Sequence, residues 1–411
     1  MTDQPNFKGY IWSGHEASDW PTAISFSNSI DWDALCRYAS KLYNDEICTM
    51  DPQITGGGRH LVRIINFADG TRWVAKFRVP YIQTTENDAP DRVLQQEVDC
   101  MELVKARTHV PVPRVFGYNT DPGNDIGGSF ILMDCLSGNA AVDLEHRVPM
   151  SPEQRKSFYG EVAGFHAEIS SITFPKIGTL TRREDGTWGI GPLRGLGGPF
   201  NTATEYLEAW ADAAEFRGLE DFKAIHRPRY GAQYGEEFAS QLEASILAFP
   251  SELQKLTATI PIRNYGPFPL IHPDFACWNV VVDDYYKVLG VIDWEFAHSG
   301  PWEMVHFPAC FMPTPAPMDL STNYDENGMP VNEKIKQEFQ EMREYREVVR
   351  KVEQAKGLLP TLSAVLGDGA GQDLAHALHL YVDDGKHGAY CKVLDAHRER
   401  WTKGDKGAEE A

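Results

Sequence analysis

Residues 270–295 read LIHPDFACWNVVVDDYYKVLGVIDWE. The stretch opens with a His-x-Asp loop in which Asn279 follows Asp274 by five residues. Two apolar runs come next, separated by the turn-forming pair Asp283-Asp284, and the second run leads directly into Asp293. Apolar runs around such a turn predict a β-hairpin with polar side chains at its ends. An ordinary Asp-rich turn is the alternative, but the whole array arises by chance far less often than a lone His-x-Asp.

Phosphoryl transfer needs side chains of these kinds. A carboxylate must orient the acceptor hydroxyl, and oxygen ligands must hold the Mg²⁺ that neutralises charge on the β- and γ-phosphates. Asp274 on the loop meets the first need, while Asn279 and Asp293 meet the second. The sequence therefore predicts a phosphoryl-transfer centre with Asp274 as the catalytic residue and with Asn279 and Asp293 as metal ligands.

The same segments resemble the aminoglycoside phosphotransferase-like family, a branch of the protein-kinase-like fold that includes choline-type and other metabolite kinases. The matching motifs are HPDFACWN at 272–279, VIDWE at 291–295, GPWE at 300–303, FHAE at 165–168 and FPKIGTL at 174–180, and residues 190–193 and 198–200 resemble an insertion of fungal members. The resemblance covers roughly residues 50–310. It implies an ATP-dependent small-molecule kinase that uses Mg²⁺, with Asp274 as base or hydroxyl orienter and His272 supporting the loop.

Two β-like runs and a helix precede this centre. The runs HLVRIINF at 60–67 and TRWVAKFRV at 71–79 flank the pair Asp69-Gly70, which predicts a β-hairpin. Apolar residues recur at helical spacing over 91–107, which predicts a helix. We therefore expect a small β-rich region with a helix packed against it.

A strand lysine and a helix glutamate stand in the order that kinases use. In kinases the lysine contacts the α- and β-phosphates and pairs with a glutamate of the next helix. Lys76 lies in the second run and Glu97 on the helix, so these two are the predicted nucleotide-binding pair. Glu86 and Glu102 are less well placed alternatives to Glu97.

The resemblance also implies where adenine binds. Residues 130–136 (FILMDCL) match the strand-to-hinge segment of the family, so the backbone groups of Asp134 and Leu136 are predicted cofactor-binding groups. Gly56-Gly57-Gly58 is either a loop that covers the phosphates or a flexible turn, since it lacks the full G-x-G-x-x-G pattern.

The element pattern predicts a bilobal α+β chain, and the resemblance implies that its fold is protein-kinase-like. Residues 1–136 are expected to form an N-terminal extension and a small β-rich nucleotide-binding lobe, and residues 137–411 a large helical catalytic lobe. Further expectations are a helix over 31–43, a capped helix from Ser151 to about Ser170, an irregular insertion over 181–200, helices over 201–260, and two or more long amphipathic helices over 331–401.

Composition excludes several classes of protein. The formal net charge is −20, from 39 basic and 59 acidic side chains, and no block of Lys/Arg is present, which argues against a nucleic-acid partner. No apolar run approaches the roughly 18 residues of a membrane span, and no signal peptide is visible at the N-terminus. The seven dispersed cysteines predict reduced thiols. These features together predict a cytoplasmic protein without a membrane partner.

Three other functions were weighed against a metabolite kinase. A metal hydrolase finds no support, because H-E-x-x-H, C-x-x-C and G-x-S-x-G are all absent from the sequence. A protein kinase is disfavoured, because Ala276 replaces the usual lysine two residues after the aspartate. A pseudokinase that binds nucleotide or a partner protein without turnover is the main alternative. The predicted acceptor is a hydroxyl group on a small molecule.

Overall fold

The computed structural model describes residues 9–11, 21–56, 59–79, 90–183, 185–309 and 312–402. The chain forms two compact units. The first comprises Met1–Glu168, Leu180–Gly189 and His272–Ala297, and the second comprises Ile169–Thr179, Ile190–Ile271 and His298–Ala411. This division crosses the predicted segments 1–136 and 137–411, because the hairpin that follows the His-x-Asp loop folds with the first unit. The division of the chain into one lobe of residues 1–136 and another of residues 137–411 remains a prediction.

A five-stranded antiparallel sheet dominates the first unit. Its strands are β1 (Cys48–Gly56), β2 (His60–Phe67), β3 (Arg72–Arg78), β4 (Val115–Asn119) and β5 (Phe130–Asp134), in the order β1-β2-β3-β5-β4. The predicted hairpin is confirmed as β2–β3. Its turn contains Gly70 at φ 87°, a conformation that glycine adopts without strain.

Three helices pack on this sheet. They are α1 (Pro21–Ser29), α2 (Trp32–Leu42) and α3 (Pro90–Arg107). The side chain of Asp31 caps α2 by accepting the N–H of Ala34 at 2.8 Å. Apolar side chains of α1 and α2 form one core with those of the sheet, including Phe26, Leu35 and Phe77. The predicted helices over 31–43 and 91–107 are therefore confirmed.

A second, three-stranded sheet in the first unit carries the predicted centre. It contains β6 (Asn139–Ala140), β11 (Val280–Val282) and β12 (Val288–Val291) in the order β12-β11-β6. The predicted hairpin around Asp283-Asp284 is thus confirmed. Gly138 has to be a glycine here, because a Cβ at that position would lie 2.3 Å from the carbonyl oxygen of Val282.

The helix predicted from Ser151 is also confirmed. After the short α4 (Ala141–Glu145), α5 runs over Pro152–Ser171. Ser151 and Gln154 form a capping box: the Ser151 N–H donates to Oε1 of Gln154 at 2.9 Å, and the Gln154 N–H donates to Oγ of Ser151 at 3.2 Å.

The second unit is mainly helical. Its strands include β7 (Thr173–Phe174), β10 (Phe268–Ile271) and β13 (His298–Ser299). Strand β8 (Gly178–Arg182) begins in this unit, and strand β9 (Trp188–Gly191) ends in it. The helices are α6 (Ala203–Ala213), α7 (Leu219–Asp221), α8 (Arg227–Tyr234), α9 (Glu236–Gln254), α10 (Glu333–Lys356), α11 (Thr361–Val365), α12 (Gly369–His379), α13 (Tyr390–Val393) and α14 (Asp395–Thr402), with π-helical turns at Phe222–His226 and Leu380–Asp384 and 3₁₀ turns at Trp302–Met304, Ala316–Met318 and Ser321–Asn323.

Two predictions about this part of the chain need correction. The segment 181–200 is not wholly irregular, because it contains the end of β8 and all of β9. The segment 331–401 was predicted to contain two or more long helices, but only α10 is long. It ends at Lys356, where Gly357 adopts a left-handed conformation, and four shorter helices follow. Among the described residues, no helix combines the length and the apolar character that a membrane crossing requires.

Candidate active site

The loop 272–279 presents the carboxylate of Asp274 beside the amide of Asn279. The Asn279 amide nitrogen, Nδ2, donates to Oδ2 of Asp274 at 2.8 Å and to its main-chain oxygen at 2.9 Å. These two bonds fix the amide so that its oxygen, Oδ1, points away from Asp274 and is an acceptor for another group. The predicted catalytic carboxylate and one predicted metal ligand are therefore direct neighbours.

His272 holds this loop against the strand that leads to Asp293. Its Nε2 lies 3.0 Å from the carbonyl oxygen of Ile292 and must carry a proton, because a carbonyl only accepts. Its Nδ1 accepts the main-chain N–H of Asp274 at 3.3 Å. Burial lowers the pKa of His272, so the ring is neutral at neutral pH. This position agrees with the supporting role that the resemblance implies.

Lys76 lies between two carboxylates. Its Nζ donates to Oε1 of Glu97 and to Oδ1 of Asp293, each at 2.7 Å. Lys76 and Glu97 are 6% and 3% exposed, so this ion pair is almost fully removed from water. The structure thus brings together the predicted strand lysine, the predicted helix glutamate and the predicted metal ligand Asp293, and it leaves Glu102 elsewhere, paired with Arg182.

The electrostatics of this triad favour the charged forms of Lys76 and Asp293. Burial lowers the pKa of Lys76, but the charges of Glu97 and Asp293 raise it more, and the pKa lies above its ordinary value. Burial likewise raises the pKa of Asp293, but Lys76 and neighbouring groups lower it more, and the pKa lies below its ordinary range. The pKa of Glu97 is raised by burial, which Lys76 offsets only in part.

Asp293 adopts a left-handed backbone conformation at the end of its hairpin. Its φ is 62°, in a region where aspartate and asparagine are enriched among residues with a side chain. The N–H of Ile292 donates to the carbonyl oxygen of Asn279 at 2.9 Å. This bond holds the two predicted metal ligands together at one end of the paired strands β11 and β12. Asn279 offers an amide oxygen and Asp293 a second carboxylate oxygen, and such oxygens are what a hard cation such as Mg²⁺ prefers.

Sequence reasoning missed a buried network next to Asp293. Glu295 forms an ion pair with Arg78, and its Oε2 lies 3.5 Å from Nε2 of His60. Burial lowers the pKa of His60 well below its usual range, so this ring is neutral. The ligand atoms of His60, Asp293 and Glu295 lie within 4.8 Å of one another. Because Arg78 already neutralises Glu295, we interpret His60, Arg78 and Glu295 as a buried polar network and not as a second metal centre.

A signal for this network was present in the sequence. Arg78 stands two residues after Lys76 on β3, and residues two apart on a strand point to the same face of the sheet. His60 lies opposite Arg78 in the β2–β3 register. Because Arg78 is charged and shares a face with the predicted phosphate-binding Lys76, the sequence could have predicted that Arg78 lies near the same site.

The predicted adenine-binding residues Asp134 and Leu136 lie at and just after the end of β5. The N–H of Asp134 donates to the carbonyl oxygen of Arg114 at 2.9 Å, and its Oδ2 accepts the Arg114 N–H at 2.8 Å. The main-chain N–H of Asp134 is therefore already used, and of its two main-chain groups the oxygen is the one that could bind a ligand. The N–H of Leu136 makes no main-chain hydrogen bond within the described residues. Of the Gly56–Gly58 loop, Gly56 ends β1, and Gly57 and Gly58 lie outside the described residues.

Residues 9–11 contact this segment. Asn139 accepts the N–H of Ile11 at 2.5 Å and donates to the carbonyl oxygen of Gly9 at 3.1 Å. The hydroxyl of Tyr10 lies 3.0 Å from Sγ of Cys135. Residues 9–11 therefore lie beside the predicted adenine-binding segment, which the sequence did not indicate.

Cysteine chemistry corrects one further expectation. Cys36, Cys48, Cys100, Cys135 and Cys391 are free thiols, as predicted for the whole set. Cys277, within the 272–279 loop, is instead disulfide-bonded. The prediction that all seven cysteines are reduced is therefore wrong.

Comparison with known proteins places this geometry in a family. Residues 53–304, more than half of the chain, match the phosphotransferase enzyme family. The chain belongs to this family. The matched range contains Lys76, Glu97, Asp274, Asn279 and Asp293, so every predicted catalytic and metal-binding residue of this phosphotransferase family member lies inside it.

Curated relatives of this phosphotransferase family member come from fungi. The protein named "altered inheritance of mitochondria protein 9, mitochondrial" from Meyerozyma guilliermondii is 30% identical over 125 residues, which are 30% of this chain and 20% of the relative. A subtelomeric hrmA-associated cluster protein of Aspergillus fumigatus is 25% identical over 144 residues, 35% of this chain and 27% of the relative. The match therefore spans only about a fifth to a quarter of these relatives' own length.

A solved structure shows the same fold. A Ralstonia eutropha protein named as a candidate aminoglycoside phosphotransferase has a TM-score of 0.50 at 18% identity, covering 90% of this chain and 94% of that one. The predicted α+β, protein-kinase-like fold is confirmed. The chain is a member of the phosphotransferase enzyme family with that fold.

Proposed function

We propose that this chain is an ATP-dependent, Mg²⁺-requiring kinase that transfers the γ-phosphoryl group to a hydroxyl group of a small molecule. The observation that carries the proposal is the buried contact of Lys76 with both Glu97 and Asp293, each at 2.7 Å, in the same compact unit as Asp274 and Asn279. Kinases require an ion pair between a strand lysine and a helix glutamate together with an aspartate that holds Mg²⁺.

The chain's own residues account for nucleotide binding. Lys76 supplies a positive charge for the α- and β-phosphates while Glu97 keeps it in position, and Asp293 is then available to a metal ion. The oxygens of Asn279 and Asp293 fit Mg²⁺, which when bound neutralises charge on the β- and γ-phosphates. The main-chain oxygen of Asp134 and the N–H of Leu136 are the proposed hydrogen-bonding groups for adenine.

Asp274 accounts for the transfer step. Its carboxylate accepts the proton of the acceptor hydroxyl, whose oxygen forms the new bond to the γ-phosphorus. The bond between that phosphorus and the oxygen bridging to the β-phosphate breaks, and the electron pair leaves with ADP. A general base of this kind contributes about 10²–10⁴-fold to the rate.

The acceptor and the cellular location are proposed from the same reasoning. A small-molecule acceptor fits a chain whose net charge of −20 disfavours nucleic acid. A cytoplasmic location stays a prediction. The mitochondrial location in the name of the Meyerozyma guilliermondii relative describes that protein.

The test compares wild type with Asp274→Asn. Both proteins are incubated with MgATP and a metabolite pool, and products are read by mass spectrometry. We expect the variant to lose about 10²–10⁴-fold in phosphorylation rate while MgATP affinity by calorimetry changes little, because Asp274 faces the acceptor. If wild type binds MgATP and phosphorylates nothing across a broad screen, the pseudokinase alternative replaces this proposal.

A further inference from the structure

The indole of Trp278 lies directly against the catalytic carboxylate, and the proposed function gives it no role. Its Nε1 lies 2.9 Å from Oδ1 and 2.9 Å from Oδ2 of Asp274. Equal distances to both oxygens describe a single N–H shared in a three-centre hydrogen bond. Trp278 is 43% exposed, so core packing does not explain its position.

This contact takes up much of the capacity of Asp274 to accept hydrogen bonds. A carboxylate has about four acceptor sites on its two oxygens. Nδ2 of Asn279 occupies one site on Oδ2 at 2.8 Å, and the indole N–H faces both oxygens. A hydroxyl group that reaches Asp274 therefore competes with the indole N–H for the carboxylate.

Water and an acceptor molecule differ in how well they can compete. An acceptor is held by contacts along its whole length, and this binding energy can displace part of the indole hydrogen bond. A single water molecule has no such additional contacts. The same N–H therefore opposes the activation of water more strongly than the activation of a bound acceptor.

We propose that Trp278 is a specificity-determining residue that restricts Asp274 to bound acceptor hydroxyls and suppresses phosphoryl transfer to water. The inference rests on the proposed function. In the suppressed reaction, water gives its proton to Asp274 and its oxygen bonds to the γ-phosphorus. The bond to the bridging oxygen breaks, and inorganic phosphate and ADP leave.

The test measures MgATP hydrolysis with no acceptor present. Trp278→Phe keeps an aromatic ring and removes the N–H, and we expect hydrolysis to rise about three- to tenfold, the effect of weakening a hydrogen bond to a charged group. MgATP affinity by calorimetry should stay within about twofold, because Trp278 contacts Asp274 and not the Lys76 triad. Trp278→His keeps a ring N–H and should stay closer to wild type.

Two controls separate this effect from altered folding. Trp188→Phe is the matched control, because Trp188 also belongs to the first unit but stacks on the guanidinium of Arg182 at 5.5 Å. It should leave hydrolysis unchanged. Adding Trp278→Phe to Asp274→Asn should give no increase, because the carboxylate that the indole restrains is then absent.

The contact itself is checked without turnover. The indole N–H resonance of Trp278, assigned by its absence in Trp278→Phe, should shift in a ¹⁵N-¹H spectrum of Asp274→Asn. No shift, or hydrolysis by Trp278→Phe that is unchanged or lower while MgATP is bound, overturns the role of Trp278. Failure of wild type to bind MgATP, or full activity in Asp274→Asn, contradicts the proposed function instead.

Discussion

Replacing Lys76 by methionine removes the cation that separates two carboxylates in a buried site. Oε1 of Glu97 and Oδ1 of Asp293 each lie 2.7 Å from Nζ of Lys76. The variant keeps a side chain of similar length, so the main change is the loss of charge. Removing one partner of a buried ion pair typically costs about 3–5 kcal/mol, because the other charge remains buried and unpaired. We expect the free energy of unfolding of the first unit to fall by that amount near pH 8.

The loss should depend on pH. Burial already raises the pKa of Glu97, and Lys76 is the group that opposes this shift, so the methionine variant raises the pKa further. When the pKa of a carboxyl is higher in the folded than in the unfolded protein, the folded protein loses stability as pH rises above the unfolded pKa of about 4.3. The destabilisation by Lys76→Met should therefore be smaller at pH 5 than at pH 8. Adding Glu97→Gln should recover part of it at pH 8.

Urea denaturation at the two pH values measures both effects. The control is Arg182→Met in the same unit. Arg182 pairs with Glu102 while both side chains are nearly half exposed, so this change should cost less than about 1 kcal/mol. If Lys76→Met costs no more than the control, or costs the same at pH 5 and pH 8, the account of the buried triad is wrong.

Two further predictions concern Asp293 and Glu303. The Asp293→Asn variant should fold, because asparagine suits the left-handed backbone at this position. It should weaken Mg²⁺-dependent ATP binding by at least roughly 10–100-fold, the cost of losing an outer partner of a metal site. If calorimetry shows that wild type binds ATP equally well with and without metal, Asp293 does not belong to a metal site. Burial raises the pKa of Glu303, whose Oε1 accepts the N–H of Ile262 at 2.5 Å while Oε2 lacks a hydrogen-bond partner among the described residues. The folded protein therefore loses stability as pH rises past the ordinary carboxyl pKa. Glu303→Gln keeps the acceptor oxygen, so its melting temperature minus that of wild type should be larger at pH 8 than at pH 5. A difference that is the same at both pH values contradicts this.

Local patterns predicted the elements that support the site. The Asp69-Gly70 turn, the alternation in the two flanking runs and the helical spacing over 91–107 each have a local physical cause, and all three elements are present. The order of Lys76 and Glu97 along the chain was sufficient to predict their contact, because kinase-like topology sets the helix against the strand.

Features that depend on tertiary contacts were missed. Strand β1 contains Asp51-Pro52 and a bulge between Met50 and Ile54, so its sequence lacks the regular alternation of a strand. Glutamate side chains are usually solvated, yet Glu303 is buried. The contact of Trp278 with Asp274 depends on the folded form of the loop, and the spacing of four residues alone does not predict it.

Cys135 has a consequence for inhibitor design. Its thiol lies within the segment proposed to bind adenine, 3.0 Å from the Tyr10 hydroxyl, and burial raises its pKa. Because the thiolate is the reactive form, an electrophile at low concentration should modify this thiol slowly. A covalent compound that targets it must therefore first bind tightly beside Cys135, in the segment proposed to bind adenine.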